Sequence, residues 1–390
     1  MNHSPRCRRI AALLALDSLQ PFAKELLVNC PSLRLLQKSI LVAGLANAVW
    51  ILIGTSLLPS CGSSGDSLDK ACAVLAQAQC ERRQLCTNTA MGSGGTALYP
   101  EGVYVMNTYG DMATCLARQQ LACMNNGNAP GTGTNPTQLE NCASEYGTWS
   151  CVDLFDGNAN SPPDCAPAGK LANGQPCAMA GQCASRFCAG TKNASCGLCA
   201  DEPLDGAVCA ASGCAPGQEC KAESNGDLLC HTRRPVGDTT CTSDLPCQAF
   251  STCVGASATD AAKTGVCTAA SSALGAACGG SNPGCDGNLG LVCLGPNGAK
   301  TCQQIAYASA GSACGTLVDG ARAECISADC FTTTGPASTS DTTAVCIARA
   351  ADGAACDTQQ GPICLAPARC VTSPGATSGT CTVPSAALCK

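Results

Sequence analysis

Gly174-Gln175-Pro176-Cys177 begins a pattern that the chain repeats five more times. Gly206-Ala207-Val208-Cys209, Gly275-Ala276-Ala277-Cys278, Gly311-Ser312-Ala313-Cys314 and Gly353-Ala354-Ala355-Cys356 share the G-x-x-C start. Gly237-Asp238-Thr239-Thr240-Cys241 carries one inserted residue. The opening cysteines are 32, 32, 37, 36 and 42 residues apart, a period that signals an array of small modules. Three more cysteines follow each opening. In chain order they are Cys183, Cys188 and Cys196; Cys214, Cys220 and Cys230; Cys247, Cys253 and Cys267. Cys285, Cys293 and Cys302, then Cys325, Cys330 and Cys346, and finally Cys364, Cys370 and Cys381 complete the set. Cys199 and Cys389 stand outside this count and bring the region to 26 cysteines, an even number.

Units of about 36 residues do not fold on apolar burial alone, because domains below about 40 residues need staples. Two disulfides in each would contribute about 2–4 kcal/mol apiece, mostly by restricting the unfolded chain. The opening glycine fits either a turn with φ > 0 or a close backbone approach. Loops between the third and fourth cysteines vary most in length and are rich in Ser, Thr, Ala and Gly, as in residues 331–340. They read as exposed hairpin ends that serve spacing or carry glycans, spacing being preferred. Four cysteines allow three pairings. The interleaved one, first with third and second with fourth, ties every segment of a module to every other. It is expected in the fourth repeat as Cys278–Cys293 and Cys285–Cys302. The first two repeats are the place to look for departures, because Cys199 intrudes there.

Composition agrees with a disulfide scaffold. The 390 residues include 37 cysteines but only 3% aromatics, a ratio opposite to that of an oil-core globule. Such a chain folds in an oxidising compartment if its cysteines pair. Metal storage would use dense C-x-C spacing, and no C-x-C occurs. The net charge is −6; without residues 1–60 the chain keeps 16 basic and 26 acidic residues. This dispersed acidic charge gives no footprint for nucleic acid.

Arg34 and Lys38 precede an uncharged apolar run from Ser39 to Pro59, the order of an export signal. Leu58-Pro59-Ser60-Cys61 follows, then Gly62-Ser63-Ser64-Gly65. This resembles a bacterial lipobox, with proline in its variable place. The resemblance implies cleavage before Cys61 and a diacylglyceryl group on its sulfur. Residues 1–60 are then a leader and residues 61–68 a tether. The run of about 20 residues also fits an uncleaved signal anchor, which is the alternative. A leader that includes residues 1–33 is long, and a misassigned translation start is the plainest reason.

Residues 69–168 read as a helical domain with eight cysteines: Cys72, Cys80, Cys86, Cys115, Cys123, Cys142, Cys151 and Cys165. Asp66-Ser67-Leu68-Asp69 offers N-cap chemistry for a helix from Lys70 to Cys86. Further helices are expected from Asp111 to Met124 and from Thr137 to Leu154. Cysteines eight or nine residues apart lie about two turns apart on one helix, so they staple neighbouring helices. Tyr99, Tyr104 and Tyr109 lie between the first two helices. We read them as cover for a small helical core, with a binding loop as the alternative.

From Cys177 to Cys230 the cysteine spacing resembles the amino-terminal cysteine-rich domain of Dickkopf proteins. The likeness includes Cys196-Gly197-Leu198-Cys199 and Cys214-Ala215-Pro216-Gly217-Gln218-Glu219-Cys220. Where that family has an adjacent cysteine pair, this chain has only Cys214. The resemblance implies a disulfide-knotted binding module, not Wnt antagonism. Lipobox, eight-cysteine helical domain and G-x-x-C repeats together resemble the cysteine-rich surface lipoproteins of myxobacteria and their relatives.

Catalytic patterns are weak. Cys196-x-x-Cys199 sits among Gly, Asn and Ser rather than in the βαβ context of a redox motif, so it reads as structural. His231 is the sole histidine after the leader, which leaves no Ser-His-Asp or Cys-His set and no zinc cluster. Asp156-Gly157-Asn158 and Asp286-Gly287-Asn288 lack the alternating ligands and late glutamate of a calcium loop and read as turns. Arg233-Arg234-Pro235 reads as a solvated loop.

The expectation is a small disulfide-rich fold: a helical stapled domain, then six cysteine-rich modules with short β-hairpins at 169–390. The function expected is a lipid-anchored binding or adhesion protein of the outer membrane or cell surface, with a periplasm-facing location also open. Its partners would be the membrane, through lipid on Cys61, and an extracellular or periplasmic protein or glycan. A passive spacer of the envelope is the alternative. No catalytic residue, metal or cofactor is expected, and an enzyme is the weakest reading.

Overall fold

The computed structural model describes residues 67–88 and 102–389, apart from 191–192, 210–212, 224–226, 243, 258–259, 261–262, 297, 318–319, 333–334 and 338–343. Tyr99, the leader and the tether up to residue 66 lie outside the described residues.

Five helices form the first domain: α1 Leu68–Thr87, α2 Val103–Tyr109, α3 Met112–Gly127, α4 Pro136–Tyr146 and α5 Cys151–Phe155. Side-chain oxygens start four of them. Ser67 accepts from Lys70 N, Asp111 from Thr114 N, Asn135 from Gln138 N and Ser150 from Asp153 N. Each bond satisfies an amide that the first turn leaves unpaired. Ser150 also corrects the expectation of one helix from Thr137 to Leu154. The chain leaves the helix after Tyr146, at Gly147, and restarts at Cys151 behind Ser150, whose φ of −55° and ψ of 134° are not helical. Helix α2 lies in a stretch that the sequence reading left without an element. Gly102 and Gly110, at φ +75° and +87°, bracket it. A Cβ at Gly102 would come within 2.8 Å of the Gln84 carbonyl oxygen.

Helices α1 and α3 run antiparallel, stapled by Cys72–Cys123 and Cys80–Cys115. Eight residues separate the two cysteines on each helix, a rise of about 12 Å, so the bonds hold both ends of the contact. Cys86–Cys151 ties α1 to α5, and Cys142–Cys165 ties α4 to the turn Pro163–Cys165. Leu75, Leu139, Tyr146, Trp149 and Leu154 pack with the buried cysteines into one core. Tyr109 and Val105 form a second core with Cys80 and Cys115, and Tyr104 packs on its edge.

All six modules share one plan. The strands of the third and fourth cysteines form an antiparallel hairpin that places those cysteines directly opposite: Cys188 with Cys199, Cys220 with Cys230, Cys253 with Cys267. Cys293 faces Cys302, Cys330 faces Cys346, and Cys370 faces Cys381. Facing cysteines are not bonded to each other. The first bonds the third and the second bonds the fourth in every module, including Cys278–Cys293 and Cys285–Cys302. The crossing bonds are the module core; in the third module the buried cluster is Cys241, Cys247 and Cys267, with Cys253 against it. Four bonds therefore lie within the helical domain and thirteen within the repeats, the last being Cys196–Cys389.

Cys196 departs from its expected place. Cys199, not Cys196, is the fourth cysteine of the first module, because only Cys199 stands opposite Cys188. Cys196 lies three residues earlier and bonds Cys389 across 193 residues.

The opening glycines show why the motif recurs. Gly174, Gly206, Gly237, Gly275, Gly311 and Gly353 all lie at φ between +79° and +91°. In each case the next residue's N–H donates to the carbonyl three residues back, as Ala276 does to Ala273. This is a type II turn with glycine in its left-handed place. A Cβ on any of the six would meet nothing within 4 Å, so backbone conformation and not crowding demands glycine. Each glycine N–H donates to the carbonyl of its module's fourth cysteine, at 2.7–2.8 Å. The fourth cysteine N–H donates back into the opening segment, as Cys302 does to Ala276 at 2.8 Å.

Every module touches the helical domain. In the first, buried Gln182 donates to the Pro130 carbonyl at 2.8 Å. The second and third converge on Asp156, which is 2% exposed. Its Oδ1 accepts from Arg233 Nη1 at 3.2 Å and from Ala249 N at 2.7 Å, while its carbonyl accepts from Gly217 N. Phe155 stacks edge-on against Phe250 of the third module. The turn Gly287–Leu289 of the fourth lies beside α2. In the fifth, Ser327 N donates to the Met106 carbonyl, and Asn107 donates to Glu324. In the sixth, Asp352 accepts two bonds of 2.7 Å from Arg118, which also donates to the carbonyls of Leu365 and Ala366. The sixth module meets the first through Arg369 donating to the Ala178 carbonyl and through Cys196–Cys389. The modules thus circle the helical domain.

Two outcomes follow from these contacts. Gly275→Ala places a Cβ at φ +79° and should cost about 1–2 kcal/mol, read as about tenfold faster hydrogen exchange in the fourth module. Gly287→Ala, also in open space but without a positive φ, should change little; equal effects would contradict the turn argument. Asp156→Ala removes the shared acceptor and should destabilise by about 3 kcal/mol in denaturant melts. Asp156→Asn keeps an Oδ1 acceptor and should cost clearly less. A harmless Asp156→Ala would show that the second and third modules do not depend on this carboxylate.

Candidate functional site

The residues singled out in the sequence divide into several places. Cys61 lies outside the described residues. Cys278, Cys293, Cys285 and Cys302 form the two bonds of the fourth module. Cys196 and Cys199 bond Cys389 and Cys183, not each other. Tyr104 and Tyr109 meet edge to face at 6.3 Å in the helical core. His231 is buried and its Nε2 lies 2.7 Å from Glu223. Asp286 caps a short 3-10 turn by accepting from Asn288 N. Arg233 is not in a solvated loop; its guanidinium bridges Asp156 and Glu219 at 3.2 Å each. Burial raises the Asp156 carboxyl above its ordinary value, against the Ala249 N–H and Arg233, which lower it.

Cysteine sulfurs cluster within 4.8 Å of one another, as at Cys177, Cys183 and Cys199. These are the two crossing disulfides of a module seen together. A disulfide sulfur is not the thiolate that binds metal.

The geometry that can hold a ligand lies where the helical domain meets the first two modules. A cleft of about 620 Å³ opens between α1, α3, the turn after α5 and the segments around Gly181 and Pro216. A narrower recess of about 200 Å³ continues it between α1, α3 and α4. Carboxamides line it from three separate segments: Gln79 on α1, Gln119 and Asn126 on α3, and Asn158 and Asn160 after α5. Four of them each spend one N–H within the protein. Gln79 donates to the Tyr146 hydroxyl at 3.3 Å, and Gln119 to the Tyr109 hydroxyl at 2.7 Å. Asn126 donates to Thr134 at 3.2 Å, and Asn160 to Asp153 at 2.7 Å. Among the described residues the Asn126 Oδ1 has no partner.

Aromatic edges back the cleft. Tyr146 and Trp149 pack edge to face at 5.1 Å. The Trp149 indole N–H donates to the Ala159 carbonyl, and Arg82 donates to the Trp149 carbonyl. Burial first, and then Tyr104, push the Tyr109 phenol up to about 12, so its hydroxyl stays protonated. Charge in the lining is sparse and mixed: Arg83, Arg186 and Glu202 in the cleft and Asp164 in the recess. Arg83 lies over the Tyr104 ring, 5.5 Å from its centroid.

No sequence motif marks these amides, because they come from segments up to 81 residues apart. The signal is the staple register. With Cys80 bonded to Cys115 and Cys72 to Cys123, Gln79 and Gln119 both lie beside the stapled seam of the helix pair. No family model, curated protein or solved structure matches this chain.

Proposed function

We propose that this chain is an exported surface protein, anchored by lipid on Cys61, whose closed disulfide scaffold presents a ligand-binding cleft. One observation carries the binding reading: a cleft of about 620 Å³ lined by fixed polar groups, within the range of about 300–1,000 Å³ usual for ligand sites. Export rests on a different one. Seventeen disulfides use all the cysteines among the described residues, and such bonds persist in oxidising compartments.

The outer-membrane or cell-surface location rests on the lipobox-like Leu58-Pro59-Ser60-Cys61. Among the described residues no helix is long and apolar enough to cross a membrane. The likeness of Cys177–Cys230 to the Dickkopf cysteine-rich domain adds only the idea of a disulfide-knotted binding module. As a passive spacer the chain would gain most from modules strung end to end. The contact of the sixth module with the first works against that use. Ser161 in the lining donates its hydroxyl to the Asn158 carbonyl and not to a carboxylate, and we read the chain as a binder rather than an enzyme.

Cys61→Ser tests the anchoring. The variant should accumulate as unprocessed precursor that still carries the apolar run of residues 39–59 and should take up no labelled fatty acid. Normal cleavage and detergent partitioning of the variant would contradict lipid anchoring, while native protein and variant that both stay uncleaved in the detergent phase would favour the signal anchor.

A further inference from the structure

We infer that the cleft between the helical domain and the first two modules binds an uncharged, polyhydroxylated ligand, a short run of neutral sugar units. This rests on the binding function proposed above and names the chemistry of that same site.

A carboxamide offers two N–H donors and a carbonyl acceptor. A sugar hydroxyl also donates and accepts, so amides complement it without a net charge. Gln79, Gln119, Asn126, Asn158 and Asn160 all line this one cleft. An anionic ligand would be met by convergent Arg or Lys. Here Arg83 is engaged with the Tyr104 ring, and the other charges of the lining are of mixed sign: Arg186 and Glu202 in the cleft and Asp164 in the recess.

Order of the lining is the second point. Long polar side chains lose rotamer entropy when they bind. Gln79 and Gln119 are already held by tyrosine hydroxyls, on helices joined by two disulfides. Asn158 and Asn160 sit at φ +65° and +48° on either side of Ala159, whose carbonyl accepts from Trp149. That backbone conformation is uncommon outside glycine and tolerated best by asparagine. The turn thus places two amides at the rim next to the indole.

Shape supplies the third. The main cleft and its recess share Gln79, Gln119, Asn126, Cys165 and Pro167 in their linings. The two therefore adjoin, and the site has more than one compartment for successive sugar units. Pro167, Pro216 and the edges of Tyr146 and Trp149 provide apolar surface for the C–H faces of a sugar ring.

Once the leader is absent, Trp149 is the sole tryptophan of the chain and reports on the cleft directly. The experiment titrates the oxidised mature protein with maltotriose, cellotriose, chitotriose, an anionic oligosaccharide and an uncharged octapeptide. Tryptophan fluorescence and calorimetry are read in parallel. A saturable response to at least one neutral oligosaccharide is expected. Gln119→Leu and Gln79→Leu should each weaken it about tenfold, the loss of one buried hydrogen bond. Gln77→Leu, on the exposed face of α1, should leave it unchanged. Circular dichroism and absence of free thiols would establish that the variants fold. If only the peptide or the anionic sugar binds, the sugar inference is overturned while the binding function stands. If nothing in the panel binds and no envelope component crosslinks to the cleft, both are overturned. Neutral-sugar binding that survives Gln79→Leu and Gln119→Leu would place the site elsewhere.

Discussion

Two crossing disulfides stand where each small module would otherwise need an apolar core. The first bond clamps the opening turn to the hairpin, and the second clamps the middle loop to the hairpin's other strand. Neither is possible unless the third and fourth cysteines face one another, and that register depends on backbone bonds between the opening glycine and the fourth cysteine. The same geometry recurs across modules although the hairpin ends differ in length and the first-to-second spacing also varies, most of all between Cys314 and Cys325. Loops of 11–21 residues are closed by these bonds. Each closure removes about 3 kcal/mol of freedom from the unfolded chain, enough to offset a core with almost no aromatic residues.

Modules built this way have little apolar surface with which to grip one another. What orders them is the helical domain at their centre, and mostly through polar contacts. Arg118 reaches the sixth module, Asp156 the second and third, and Gln182 of the first reaches back to Pro130. The buried Asp156 pair with Arg233 contributes less to stability than to a unique arrangement, since desolvation offsets much of its attraction. The Cys196–Cys389 bond then joins the two ends of the circle. The cleft is a consequence of that arrangement, because its walls come from the helical domain and from the first two modules together.

Much of this was legible in the residue order. Even cysteine counts on either side of residue 168 matched separate bonding within the two regions. Helical spacing of Cys72 with Cys80 and of Cys115 with Cys123 implied staples between helices. Other features needed the third dimension. Cys196 and Cys199 are equally plausible fourth cysteines until the strand pairing with Cys188 is known. Ser150 breaks a run that reads as one helix, because a serine that caps and a serine that sits mid-helix look alike in sequence. The stretch at Val103–Tyr109 is helical through burial of Val105 and Tyr109 against Cys80 and Cys115, a tertiary cause that overrides weak local propensity. Asp156 looked like a turn residue and Arg233 like a solvated one; only packing brings them together. The cleft amides had no signal at all before the helix register was fixed.

The central claim is that crossed bonds build each module and a single long-range bond joins the first to the last. Mass spectrometry of peptides from the unreduced protein, digested at low pH to prevent exchange, tests it most directly. The account predicts first-to-third and second-to-fourth linkages in all six modules, with Cys196 joined to Cys389. Sequential pairs such as Cys278–Cys285, or a bond between Cys196 and Cys199, would contradict it.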